Sequence, residues 1–189
     1  MAQRISGYAR KADEEYETPS WVTRALLARL APFHLAWDPC AASGNIIKAI
    51  EAAGLRAIGT CDDFYSYCMP PCNADIAITN PPYGSERRGA QAVKFIEHAL
   101  WLIPRVAMLL RNDFDSAIGR QHLFCGNKAF AGKTILLGRI KWFAGPSSPS
   151  DNHSWFLWDH AHQGPPIIRY VLRADVEMQE AKAGGEHVS

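Results

Sequence analysis

The sequence predicts an α/β fold, a mostly parallel sheet that ends in an antiparallel pair of C-terminal strands. Two observations carry this. From Leu35 to Leu110, short apolar, β-branched segments alternate with longer stretches of helical character, the pattern of βαβ units. After that the alternation stops. Lys133–Phe143 and His153–Asp159 are joined by Ala144-Gly145-Pro146-Ser147-Ser148-Pro149-Ser150-Asp151 with no helical pattern between them, which argues for an antiparallel pair at one edge of the sheet.

In chain order, a first helix is expected from Pro19 to about Leu30, then a strand over Leu35–Asp38. A helix follows from Gly44 to Ala53 and a strand from Arg56 to Cys61. The next strand, Asp75–Thr79, precedes a helix over Ala90–Ile103 and a strand over Arg105–Leu110. A helix near Ser116–Leu123 leads to the two late strands, with a closing stretch at Pro166–Leu172. Residues 1–14 and 174–189 read as flexible tails, the second broken by Ala183-Gly184-Gly185. This leaves 15–173 as a single domain.

The segment Ala74-Asp75-Ile76-Ala77-Ile78-Thr79 reads as a buried strand that stops on Asn80-Pro81-Pro82-Tyr83. The two prolines have no backbone N–H and cannot continue a ladder. A carboxamide, a free proline carbonyl and an aromatic ring are thereby set at the C-terminal edge of the sheet, where ligands bind in open α/β folds. Two acceptors beside an aromatic face suit an exocyclic amino group on a flat ring.

Upstream, Leu35-Ala36-Trp37-Asp38-Pro39-Cys40-Ala41-Ala42-Ser43-Gly44-Asn45 is an apolar strand with an acid at its tip and a turn of small residues. Small residues let the backbone approach a ligand closely. There is no Gly-x-Gly-x-x-Gly and no Gly-Lys-Ser/Thr, so neither dinucleotide nor phosphate-loop chemistry is indicated. An acid in this turn repels a phosphate and welcomes a cationic α-amino group.

Further upstream lies Tyr16-Glu17-Thr18-Pro19-Ser20-Trp21. The order Tyr-x-Thr-Pro-x-Trp, then Asp-Pro-x-Ala-x-Ser-Gly, then Asn-Pro-Pro-Tyr resembles the AdoMet-dependent DNA N6-adenine methyltransferases. Phe95-Ile96-x-x-Ala99-Leu100, Val106 to Arg111 and Trp155-Phe156-Leu157-Trp158 resemble the small phage and prophage members. The resemblance implies the class I, Rossmann-like methyltransferase fold with its antiparallel ending. It implies S-adenosyl-L-methionine as cofactor, held by Tyr16, Thr18, Pro19, Asp38, Pro39, Cys40, Ala41, Ser43, Gly44, Asn45, Asp62, Asp63, Phe64 and Asn80. It implies methyl transfer to adenine N6 through Asn80, Pro81, Pro82 and Tyr83, with a nucleic acid, DNA before RNA, as partner. A bacterial or phage-infected cytoplasm is the implied location.

The chain departs from that family in two places. The interval from Cys61 to Asp75 is too short for the further strand and helix the family fits there, so Asp62-Asp63-Phe64 must serve twice. One carboxylate takes the ribose hydroxyls, with Asp62 nearer the strand end, and Phe64 lies against the adenine ring. No stretch is large enough for a separate target-recognition domain. Either specificity is loose, or sequence reading falls to the Gly84–Gly89 and Ala144–Asn152 loops, to a partner or to a second copy of the chain.

Composition is compatible with one core-bearing enzyme domain: of 189 residues, 48% are hydrophobic and 21% charged, which argues against disorder outside the ends. No apolar run approaches the ~18–20 residues that span a bilayer, and the start is too polar for a signal peptide, so no membrane partner is expected. Five cysteines, an odd number, fit reduced thiols in a cytoplasm. Cys68 and Cys72 have the spacing of a zinc pair and Cys61 is near, but the fourth ligand would be distant, so no metal is expected. The net charge of +1 says nothing about nucleic acid, because a local basic face suffices. Arg87 and Arg88, directly after the tetrapeptide, are the candidate phosphate contacts, with Arg139 and Lys141 next.

Three other readings use the same residues. The amine could belong to RNA or to cytosine N4. It could belong to a protein glutamine, although the helical N-terminal domain and Gly-rich first motif of those enzymes are missing. The fold could also be a non-catalytic AdoMet-binding module, against which the intact Asn80 to Tyr83 speaks.

Overall fold

The computed structural model describes residues 17–82, 89–142 and 151–178. Seven strands form one sheet in the order β2-β1-β3-β4-β6-β5-β7. In chain order the elements are α1 (Ser20–Leu27), β1 (Ala36–Asp38), α2 (Asn45–Glu51), β2 (Ala57–Gly59), β3 (Ile76–Thr79), α3 (Ala90–Leu102), β4 (Arg105–Arg111), α4 (Gln121–Phe124), β5 (Phe130–Leu137), β6 (His153–Asp159) and β7 (Ile167–Leu172).

The central strands are continuous apolar runs because both of their faces are covered. Every residue of β1 and β3 is buried, as are Val106 to Leu110 of β4. One face packs under α3, whose Ala92, Phe95, Ile96, Ala99 and Leu102 recur at helical spacing against Phe156 and Trp158. The other packs under α1 and α2, where Trp21, Val22, Leu26 and Ile50 meet Ile76, Ile78 and Trp155. Trp155 Nε1 donates to the Val22 carbonyl at 2.8 Å inside that core, so α1, and with it Thr18, is tied to the middle of the sheet.

Strands β2, β1, β3 and β4 are parallel, and β6 runs antiparallel to both β4 and β5. The expected antiparallel pair is present. It does not close the sheet, because β7 lies outside it, parallel to β5. Between β2 and β3 the described chain makes only single helical turns, at Phe64–Ser66 and Pro71–Asn73, so β2 is the opposite edge.

Element bounds differ from expectation where local chemistry competes with periodicity. Helix α1 stops at Leu27 rather than near Leu30: Arg29 N–H bonds back to Leu26, and Pro32 disfavours helical geometry at the residue before it. The helix expected near Ser116–Leu123 is instead two short turns, Phe114–Ser116 and Ile118–Arg120, followed by α4. Ser116 Oγ donates to the Asp113 carbonyl at 2.6 Å, the kind of local bond that competes with a helix. Strand β5 runs from Phe130 to Leu137, not from Lys133 to Phe143: its pairing with β6 begins at Phe130, and it ends before Gly138, whose φ of +130° breaks the strand. Residues 173–178, expected to begin a flexible tail, are helical, and Val176 is buried in the second core.

Among the described residues no helix is long and apolar enough to cross a membrane. The five cysteines are free thiols, and no three His, Cys, Asp or Glu of the described residues gather as a metal cage.

Candidate active site

Parallel register brings the C-terminal ends of β1, β2 and β3 side by side: Asp38 pairs with Gly59, and Trp37 with Ala77. A cleft of about 460 Å³ opens at that edge. Its walls are Pro39, Cys40 and Ala42 from the turn after β1, Cys61 to Tyr65 from the segment after β2, Pro82 from the segment after β3, and Phe95 from α3. That size falls within the ordinary range for small-molecule sites.

The turn after β1 is held by bonds from both sides. Asp38 Oδ1 accepts the Cys40 N–H at 3.1 Å. Thr60 N–H donates to the Asp38 carbonyl at 3.0 Å, and Ala41 N–H to the Thr60 carbonyl at 3.1 Å. Gly44 takes a φ of +70° and donates its N–H to the Ala41 carbonyl, which lets α2 start at Asn45. Lys48 Nζ donates to the Ser43 carbonyl at 3.1 Å. Gly59 leaves room for this turn, since a Cβ there would collide with Ala41 Cβ. Gly59→Ala is expected to cost about 1–3 kcal/mol of stability by overpacking, to be read as a lower urea midpoint.

Asp38 is only 2% exposed and does not itself line the cleft. Burial raises its pKa to about 6, against the opposing pull of the Thr79 hydroxyl and the Cys40 N–H. The same burial, followed by the Asp38 charge, pushes the Cys40 thiol up to about 12. Cys40 is therefore an inert wall and not a nucleophile.

The segment after β2 divides its roles. Asp63 Oδ1 accepts the Tyr65 N–H at 3.1 Å and caps the turn Phe64–Ser66. Asp62 Oδ2 accepts the Tyr67 hydroxyl at 3.0 Å. Phe64 is 4% exposed and stacks on Phe95 with ring centroids 4.0 Å apart, so it forms floor more than surface. The ring that stands open at this wall is Tyr65, at 47% exposure.

After β3, Asn80 is half-buried and Pro81 buried, while Pro82 is exposed at the cleft. Asn80 Nδ2 donates to Thr18 Oγ1 at 3.3 Å, across 62 residues of sequence, and Asn80 Oδ1 is buried. The cleft thus brings together Pro39, Cys40, Asp62, Asp63, Phe64 and Pro82 of the expected residues. Thr18, Pro19, Asp38, Ala41, Ser43, Gly44, Asn45, Asn80 and Pro81 are not among the residues that line it. Tyr16, Tyr83, Arg87 and Arg88 lie outside the described residues. Sequence reasoning missed Ala42, Cys61, Tyr65 and Phe95 as lining residues. Tyr65 adjoins the Asp62-Asp63-Phe64 run, whereas Phe95 carries only the signature of a core helix position.

The fold recurs in known structures. The methyltransferase subunit of a type I restriction-modification system from Streptococcus thermophilus superposes with a TM-score of 0.51 over 85% of this chain at 15% identity. A modification subunit attributed to a type I restriction enzyme from Vibrio vulnificus gives 0.52 over 84% at 16% identity. A Listeria monocytogenes protein described as a class I S-adenosylmethionine-dependent methyltransferase gives 0.52 over 87% at 13% identity. The chain has the class I methyltransferase fold. It spans 48% and 47% of the two restriction-system subunits and 66% of the Listeria protein. By sequence it matches no protein-family model and none of the curated proteins.

Proposed function

We propose that the chain is an AdoMet-dependent methyltransferase that acts on the exocyclic N6 amine of adenine in DNA. The observation that carries this reading is the meeting, at one sheet edge, of the Asp38 turn, the Asp62–Phe64 segment and the Asn80–Pro82 segment, with Asn80 tied to Thr18. The cofactor fits these residues. A buried acid with a pKa near 6 favours a cation in its neighbourhood, as an α-ammonium would provide, and Asp62 retains an oxygen for a ribose diol. Tyr65 offers an open ring for the adenosine, beside the Phe64 and Phe95 floor. When bound, AdoMet supplies the electrophilic methyl group.

The chain's own work is on the amine. An aryl amine delocalises its lone pair into the ring and is a poor nucleophile. Asn80 Oδ1 and the Pro81 carbonyl each accept one of its N–H bonds, which draws the nitrogen toward tetrahedral geometry and frees the lone pair. Oδ1 is buried as the site stands, so seating an amine requires this wall to open. Transfer is direct, the proton leaves afterwards to solvent, and positioning and electrostatics carry the rate. Tyr83 stacks on the extruded base, worth about 1–3 kcal/mol.

The experiment is incubation of tritiated AdoMet with duplex DNA, single-stranded DNA, RNA and protein extract, followed by nucleoside mass spectrometry. Label in N6-methyladenine from DNA is expected. Label only in RNA, N4-methylcytosine or glutamine would move the reading to that substrate, and no label in any arm would leave a binding module.

Thr18 Oγ1 accepts the Nδ2 end of the Asn80 amide and so fixes the orientation in which that amide meets the substrate. Thr18→Val is expected to lower turnover at saturating AdoMet about tenfold, the worth of one lost orienting hydrogen bond, and Thr18→Ser to restore it. Weakened AdoMet binding with unchanged turnover would instead make Thr18 a cofactor contact.

Arg87 and Arg88 are proposed to hold phosphates beside the extruded base. Their joint replacement by alanine should weaken DNA binding equally across sequences and make the log-affinity against log-salt slope shallower by roughly one to two units. An unchanged slope would redirect the search to Arg139 and Lys141.

A further inference from the structure

Among the described residues, strand β7 ends the sheet, with only β5 as neighbour. Along it, Ile168, Tyr170 and Leu172 share one face, because strand side chains alternate. They are 60%, 61% and 50% exposed, and Leu137, the β5 partner of Leu172, is 42% exposed beside them. An edge of six residues whose open face is apolar is a template for pairing with another strand. We propose that this edge is a dimer interface, in which β7 pairs antiparallel with β7 of a second copy across a two-fold axis at Tyr170.

The choice of occupant follows from what the chain offers. Its other sheet edge, β2, has three residues and ends on Gly59, too short to match β7. The strand that does match β7 in length is β7 itself, and antiparallel self-pairing is the closed, isologous arrangement. Centred on Tyr170, it sets Tyr170 against Tyr170 and Ile168 against Leu172, apolar against apolar. On the opposite face Arg169 meets Val171, and Arg173, the first residue of the helix that follows β7, lies beyond the paired residues. No cation directly opposes another cation, and Arg173 Nε is already engaged by Glu177 Oε1 at 2.6 Å. A centre shifted to Arg169 would oppose two arginines, which is destabilising. Charge therefore disfavours that register, and apolar contact favours the one centred on Tyr170. This inference does not depend on the reaction the chain catalyses.

Sedimentation velocity over a wide range of protein concentration tests it. The wild-type protein should reach a dimer and no larger species. Tyr170→Lys places two like charges opposite each other at an exposed position. It should raise the dimer dissociation constant at least tenfold while leaving the melting temperature of the monomer unchanged. Trp101→Lys, at an exposed apolar position on α3, should leave dimerisation as it was. Amides of residues 167–172 should gain hydrogen-exchange protection as concentration rises. A wild-type protein that stays monomeric throughout would overturn the proposal. So would oligomers beyond the dimer, a dimer indifferent to Tyr170→Lys, or one dissolved by Trp101→Lys.

Discussion

Asn80→Ala is expected to lower methyl transfer by about 10²–10³-fold, the scale for loss of one preorganised polar group at a developing charge. AdoMet affinity should stay within a few-fold. The two effects separate because Asn80 stands beside the cleft, bonded to Thr18, and not among the residues that line it. Truncation to alanine removes the acceptor for the amine and leaves the Asp38 turn and the Asp62–Phe64 wall in place. Turnover should be measured at saturating AdoMet and cofactor binding by calorimetry. Tyr83→Ala should cost less than Asn80→Ala, and Tyr83→Phe least, since stacking needs the ring and not the hydroxyl. Near-normal turnover in Asn80→Ala would sink the mechanism. Loss of AdoMet binding in the same variant would instead show that the tetrapeptide holds the cofactor wall together.

The sheet core was legible in sequence because burial on both faces leaves an unambiguous mark. Ile76-Ala77-Ile78-Thr79 and Val106 to Leu110 are apolar without interruption, and both are buried central strands. The antiparallel turn of β6 was readable from the missing helical pattern before it. What sequence did not convey was set by pairing and by depth. The limits of β5 come from its partners, since Phe130 finds Trp158 and Leu137 finds Leu172, and Gly138 is the one mark in the sequence of where the strand stops. Depth is the harder matter. Asp38 and Phe64 stand in the segments that the motif order names, but both are buried, Phe64 stacked on Phe95. A linear motif gives proximity to the cleft and not which side chain reaches its surface, so the motif points to Phe64 where Tyr65 is the exposed ring.

The enclosure of Asp38 has a consequence for both stability and binding. Its carboxyl titrates near 3.8 when unfolded and near 6 when folded, mainly because burial penalises the charge. Between those values the folded state binds more protons than the unfolded state, so stability falls as pH rises from about 4 to about 6 and then levels off. The full difference is about 3 kcal/mol at 1.36 kcal/mol per pH unit. Asp38→Asn keeps an oxygen for the Cys40 N–H and removes the charge. The variant should therefore gain up to about 3 kcal/mol over the wild type at pH 8 and lose most of that advantage near pH 4, as read from urea unfolding at each pH. Cofactor binding should move the other way. If the ionised Asp38 attracts the α-ammonium through the Pro39–Cys40 wall, wild-type AdoMet affinity should fall about tenfold between pH 7 and pH 5 as the carboxyl takes up its proton. Asp38→Asn should bind weakly, with a flat profile over that range. A wild-type affinity flat from pH 7 to pH 5, together with normal binding by Asp38→Asn, would leave Asp38 as a brace for the turn and remove its charge from the account of binding.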